Sequence, residues 1–162
     1  MKSFGESWKE NHGAPIENGN QIILPSFSRN IDAPSTLKVK VLRADTSILQ
    51  AVTVSLKGGH LLADGEKHRS IVCWYDREPW YLELDLVPND VRATVKIWNT
   101  WKTRRGEEVA WVGFSGMIVE EISPSVEWMA RCSSHMDKPS FDDLVIQFKI
   151  LPGAQFDSVD IR

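Results

Sequence analysis

The chain has 162 residues, a length at which one domain buries roughly 68–70% of the surface its unfolded form exposes, so one packed core is expected rather than two. Its 42% hydrophobic and 25% charged residues exclude a disordered or fibrous chain. The net charge of −3 excludes general nucleic-acid binding, which needs many clustered Lys and Arg side chains to release counterions.

The segment Met1 to Glu10 is polar where a secretory signal would be apolar, and no run approaches the roughly 18 apolar residues of a membrane-spanning helix. A cytoplasmic protein with no membrane span is the expectation. Only Cys73 and Cys132 are available for pairing, and a core of this size needs no covalent staple, so two free thiols are expected. Seven Trp residues stand out, because Trp offers a broad rigid face to recognition surfaces as well as to cores.

In chain order, residues 1–20 are rich in Gly, Asn, Glu and Pro without a sustained period and read as an irregular arm. A domain over 21–152 follows. Gln21 to Leu24 is a short apolar run stopped by Pro25, and from there apolar residues recur with a period near two. Leu37, Val39 and Val41 alternate with lysines, and Val52, Val54 and Leu56 alternate with Thr53, Ser55 and Lys57. Gly58 and Gly59 predict a tight turn and hairpin into His60 to Ala63, with a polar loop at 64–69 after it.

Ile71 to Tyr75 is a β-branched and aromatic run, and Leu82, Leu84 and Leu86 alternate with Tyr81, Glu83 and Asp85. After the turn at Pro88 to Asp90, the parity of the next strand places Val91, Ala93, Val95 and Ile97 on one face. Arg92, Thr94, Lys96 and Trp98 fall on the other, so Trp98 is predicted to point away from the core.

Residues 99–108 read as a polar loop, and Val109 to Ile122 as two strands or one bent strand around Gly113 and Gly116. Ser123 and Pro124 predict one short helix near 124–131, the alternative being a strand through Trp128, Ala130 and Cys132. Leu144, Ile146, Phe148 and Ile150 form the clearest strand, and 153–162 reads as a loose tail. About eight or nine strands at this spacing predict an all-β fold, an antiparallel β-sandwich of jelly-roll or C2-like type.

The strongest candidate ligand-binding group is Trp98, Trp101, Arg104 and Arg105, two rings for stacking beside planar cations that suit carboxylate or phosphate. A second aromatic group, Trp74, Tyr75, Trp80 and Tyr81, brackets the turn at 76–79 and is either a platform or cross-strand packing. Cys132, His135, Asp137, Asp142 and Asp143 have a metal-like composition, but zinc needs four ligands and no second Cys/His pair exists, so no metal and no cofactor is expected. Calcium needs clustered carboxylates, and the acidic residues here are scattered.

His60, His68 and His135 lie near turns, and no Gly-x-Ser-x-Gly elbow, His-Glu-x-x-His pair or phosphate loop occurs. The sequence therefore predicts a non-catalytic binding domain for a protein partner or a small-molecule or carbohydrate ligand. Two alternatives stand beside it. One is a small enzyme pairing one of those histidines with a carboxylate inside the sandwich. The other is an inhibitor or immunity-type protein presenting Tyr81, Glu83 and Asp85 to a protein partner.

Overall fold

The computed structural model describes residues 2–76, 80–89 and 92–153. In chain order these form α1 (Phe4–Asn11), β1 (Ile16–Asn18), β2 (Gln21–Ile23), β3 (Phe27–Ile31), β4 (Ser35–Ala44), β5 (Gln50–Lys57), β6 (Gly59–Ala63) and β7 (Glu66–His68). There follow β8 (Ser70–Trp74), β9 (Tyr81–Pro88), β10 (Ala93–Lys102), β11 (Glu108–Val109), β12 (Gly116–Ser123), β13 (Glu127–Ser133) and β14 (Leu144–Pro152). The strands pair antiparallel, so the fold is the expected all-β sandwich, with more strands than the periodicity predicts. The extra ones, such as β1, β7 and β11, have two or three residues, too few to display a period of two.

One sheet runs β11-β10-β5-β8 with β3 also on β10, the other β12-β13-β14-β4-β9-β6-β7. Alternation along each strand sends Val52, Val54, Val95 and Ile97 from the first sheet against Leu37, Val39, Leu84, Leu86, Ile146 and Phe148 from the second. Phe27, Trp128 and Phe148 form an aromatic wedge between the sheets, with centroids 4.8–5.7 Å apart. Among the described residues no helix is long and apolar enough to cross a membrane.

Four expectations need correction. The first segment is not irregular: Ser3 caps α1, its hydroxyl accepting the Glu6 amide at 3.2 Å while the Glu6 carboxylate accepts the Ser3 amide at 3.2 Å. The Ser3 amide and the Ser3 hydroxyl, both donating to the Glu6 carboxylate, hold it below its usual range. Phe4 and Trp8, one turn apart, then bury against Ile23 and Phe114 in a separate apolar cluster.

The helix predicted near 124–131 is instead a tight turn, with Ser125 at φ +61, leading into β13. Pairing with β12 on one side and β14 on the other, with Trp128, Ala130 and Cys132 buried, outweighs the local helix signal. The predicted loop at 64–69 holds β7, paired to β6 through a turn with Asp64 at φ +49 and Gly65 at φ +79.

Gly58 and Gly59 do not close a hairpin either. β5 lies in the first sheet and β6 in the second, and the glycine pair carries the chain across. Gly58 sits at φ +83, where a Cβ would meet the Arg92 carbonyl oxygen at 2.7 Å, and a Cβ on Gly59 would come closer still to that of Val87. From residue 154 on, the predicted tail lies outside the described residues, as do Arg77, Glu78 and Pro79 of the 76–79 turn and Asp90 and Val91.

Because backbone atoms cannot yield as a side chain can, Gly59→Ala is expected to destabilise the fold by about 3 kcal/mol. Urea unfolding checks this, and a variant as stable as the parent would mean that the crossover has room to shift.

Candidate functional site

The parity read from the sequence for β10 holds: Ala93, Val95 and Ile97 are buried, and Trp98 lies on the opposite, outer face of the first sheet, half-buried. What covers it is Trp111, whose ring lies 4.9 Å from that of Trp98 at an angle of 35°. Among the described residues, β3 pairs with β10 up to Ile97 and β11 pairs with it only from Trp101, so the edge of β10 between them has no strand partner. Pro25, with no N–H to offer a ladder, passes nearby, and its carbonyl accepts the Trp111 indole N–H at 2.9 Å.

Trp111 remains 42% exposed and sits at φ +60, a conformation that a bulky side chain seldom adopts. Holding a non-glycine residue there costs on the order of 1–3 kcal/mol. The surrounding loop is pinned at several points. Gly113, at φ +56, packs so close to Met136 that a Cβ would meet its Cα at 2.7 Å, the Gly5 amide donates to the Gly113 carbonyl, and the Phe114 amide donates to that of His135.

Across the outer face, Trp98 faces Thr53, and Thr53 in turn faces Val72; Thr100 faces Ala51, and Ala51 faces Trp74. The Thr53 and Thr100 hydroxyls are 2.6 Å apart, and the Lys102 ammonium lies 5.2 Å over the Trp74 ring. Between the two aromatic positions the small side chains Ala51, Thr53 and Thr100 are therefore buried, and the rings flank them.

The sequence grouping of Trp98 with Trp101, Arg104 and Arg105 is only partly kept. Trp101 is not in a loop: β10 continues through Lys102, and Trp101 lies on its inner face, buried, its indole N–H donating to Ser115 at 2.8 Å. Arg104 and Arg105 are exposed in the turn after β10, about 13 Å or more along the strand from Trp98. Among the described residues neither guanidinium makes a cation–π contact. Sequence reasoning missed Trp111, because nothing in Ala110-Trp111-Val112-Gly113 signals a Trp in the left-handed region.

Of the second aromatic group, Trp74, Tyr75 and Trp80 are half-buried and Tyr81 is exposed. Trp80 donates its indole N–H to the Trp74 carbonyl at 3.2 Å. The Tyr81, Glu83 and Asp85 face is interleaved with cations, since Lys40 and Lys38 stand opposite Tyr81 and Glu83, and Thr36 bonds Asp85.

At one end of the sandwich the structure brings His135 and Asp143 together, Nδ1 to Oδ2 at 2.5 Å, with Asp143 buried. Asp143 also accepts the Ser134 amide at 2.8 Å, and its carbonyl accepts the Gln50 side-chain amide at 2.6 Å. A solvent-open groove of about 330 Å³ beside it is lined by Arg43, Asp45, Ser140, Asp142 and Asp143. The Asp45 carboxyl there is held below its usual range by the Ser47 hydroxyl and amide. Cys132 does not join His135, because it faces the core between the sheets.

The chain matches no known family model, and no match is found among curated proteins or solved structures.

Burial pushes the Cys73 thiol up to about 11, while burial and the Asp143 charge push Cys132 up to about 12. Only the thiolate attacks, so neither thiol is expected to be alkylated by iodoacetamide at neutral pH until denaturant exposes it. Mass spectrometry before and after unfolding checks this. Trp101→Ala should cost ~3–5 kcal/mol of stability, as for a core Trp, in a thermal or urea melt.

Proposed function

We propose that this protein is a non-catalytic binding domain that takes a ring-bearing ligand on the outer face of the five-stranded sheet, stacked against Trp98 and Trp111. The observation that carries the reading is the backbone of Trp111, held at φ +60 with its ring still 42% exposed. Strain of that kind is retained where surrounding contacts enforce it, and it concentrates at sites of recognition. An indole fixed by its own hydrogen bond to Pro25 is also pre-organised, so little ordering entropy is lost when a ring settles on it.

With Arg104 and Arg105 placed beyond the ring pair, the reason to expect an anionic group on the ligand weakens. The Thr53 and Thr100 hydroxyls are buried and bonded to each other, so what the site offers a ligand is the exposed indole of Trp111, which suits a neutral ring with an apolar side, a carbohydrate first. The acid/base alternative has its pair in His135 and Asp143, but the groove beside them is open and is lined by Asp143 without His135.

Binding is tested by titrating a panel of oligosaccharides while following Trp fluorescence, then repeating the titration with two variants. Trp111→Gly relieves the left-handed backbone, so stability should hold or rise while affinity falls by about 1–3 kcal/mol, roughly 5- to 150-fold in Kd. Trp98→Ala should lose a similar amount of affinity. A Trp111→Gly protein that unfolds as easily as a core mutant would assign Trp111 to packing, and unchanged affinity in both variants would remove the site.

A further inference from the structure

A sheet edge exposes unpaired N–H and C=O groups, and natural proteins protect such edges with charge or by keeping them short. Among the described residues of the two main sheets, the edge strands are β3, β7, β8, β11 and β12. β3 carries Arg29, β7 is Glu66-Lys67-His68, β11 is Glu108-Val109, and β12 carries Glu120 and Glu121. β8, Ser70-Ile71-Val72-Cys73-Trp74, has neither charge nor proline, and Val72 at its centre is 38% exposed.

The direction in which β8 presents its backbone follows from its bonds to β5. The Tyr75 amide donates to the Gln50 carbonyl at 2.8 Å, and the Leu56 amide donates to the Arg69 carbonyl at 3.0 Å. Odd-numbered residues therefore face β5, and the N–H and C=O groups of Ser70, Val72 and Trp74 face outward. The Trp74 carbonyl already accepts the Trp80 indole N–H and keeps a second lone pair.

We propose that β8 is a self-pairing edge on which a second copy of this chain adds its own β8 antiparallel, joining two five-stranded sheets into one. The flanks choose the occupant and the direction. The strand is entered from Arg69 and left toward Asp76, both exposed. A parallel neighbour would set Arg69 beside Arg69 and Asp76 beside Asp76. The antiparallel arrangement centred on Val72 sets the basic start of each strand alongside the acidic end of the other, twice. In that register Val72 meets Val72, and Ser70 meets Trp74, each a pair whose backbone groups point outward on both strands. The two-fold axis stands normal to the sheet, so both outer faces look the same way.

Sedimentation of the purified chain across a concentration series up to millimolar tests the assignment. The wild type is expected to move from the 18.4 kDa chain mass toward twice that value. Val72→Lys places charge at the centre of the edge, and Val72→Pro removes an N–H that β5 does not use, so both should remain monomeric with a wild-type circular dichroism spectrum. Ser70→Lys, at an exposed side chain, repeats the test if either Val72 variant fails to fold. A wild type that stays monomeric throughout overturns the proposal, as does a dimer that survives these substitutions.

Discussion

At one end of the sandwich the two sheets are tied by buried polar groups. Gln50 on β5 and Asn99 on β10 reach across the interior to Ser133, Ser134 and Asp143, which belong to the segments around β13 and β14. Each buried donor or acceptor left unpaired would cost about 1–3 kcal/mol, so the sheets cannot slide past one another without losing several bonds at once. An apolar interface alone has no such preference for one offset. The parity of β10, with Ala93, Val95 and Ile97 buried, is continued by this tie. With Asn99 turned inward to Ser133, Trp98 and Thr100 turn outward, so the hydrogen bond and the apolar face of the strand enforce the same alternation.

The loop from Ala110 to Ser115 extends the same logic. Its contacts with Pro25, Gly5, His135 and Met136 come from three different parts of the chain, which over-determine its path. Under that constraint a tryptophan can be held where its own backbone preference would not put it. The α1 helix, docked through Phe4 and Trp8 as well as the Gly5 amide, is therefore more than an appendage: it braces the loop that carries Trp111.

Much of this was legible in the amino-acid order. The alternation at 37–41, 82–86, 93–98 and 144–150 follows directly from one face being buried, and it placed Trp98 on the outer face of its strand. Trp101 is not legible as a core residue because the polar stretch around it resembles a loop, whereas Asn99 and Thr100 are buried polar residues with partners in other segments, invisible to a pattern that equates polarity with solvent. The Gly58-Gly59 pair reads as a local reversal because the sequence does not show which sheet receives the next strand. The segment at 124–131 carries the capping residues of a helix, a preference smaller than that of pairing on two sides. The real helix at Phe4–Asn11 carried its own signal, Ser3 and Glu6 in a capping box ahead of Phe4 and Trp8 one turn apart, but lay in a stretch whose composition reads as irregular.

The pairing of β4 with β14 also has a consequence in time. These two neighbours in the centre of the seven-stranded sheet are joined from Ser35 opposite Pro152 to Ala44 opposite Leu144, with one shift of register between Val145 and Ile146. On a ribosome that adds roughly 5–20 residues per second, the roughly 100 residues between them take on the order of 5–20 s to appear. Throughout that interval β4 has its apolar face made but its central neighbour missing. The lysines at 38 and 40, which leave its outward face charged, then act as guards for a strand waiting on the far end of its own sheet.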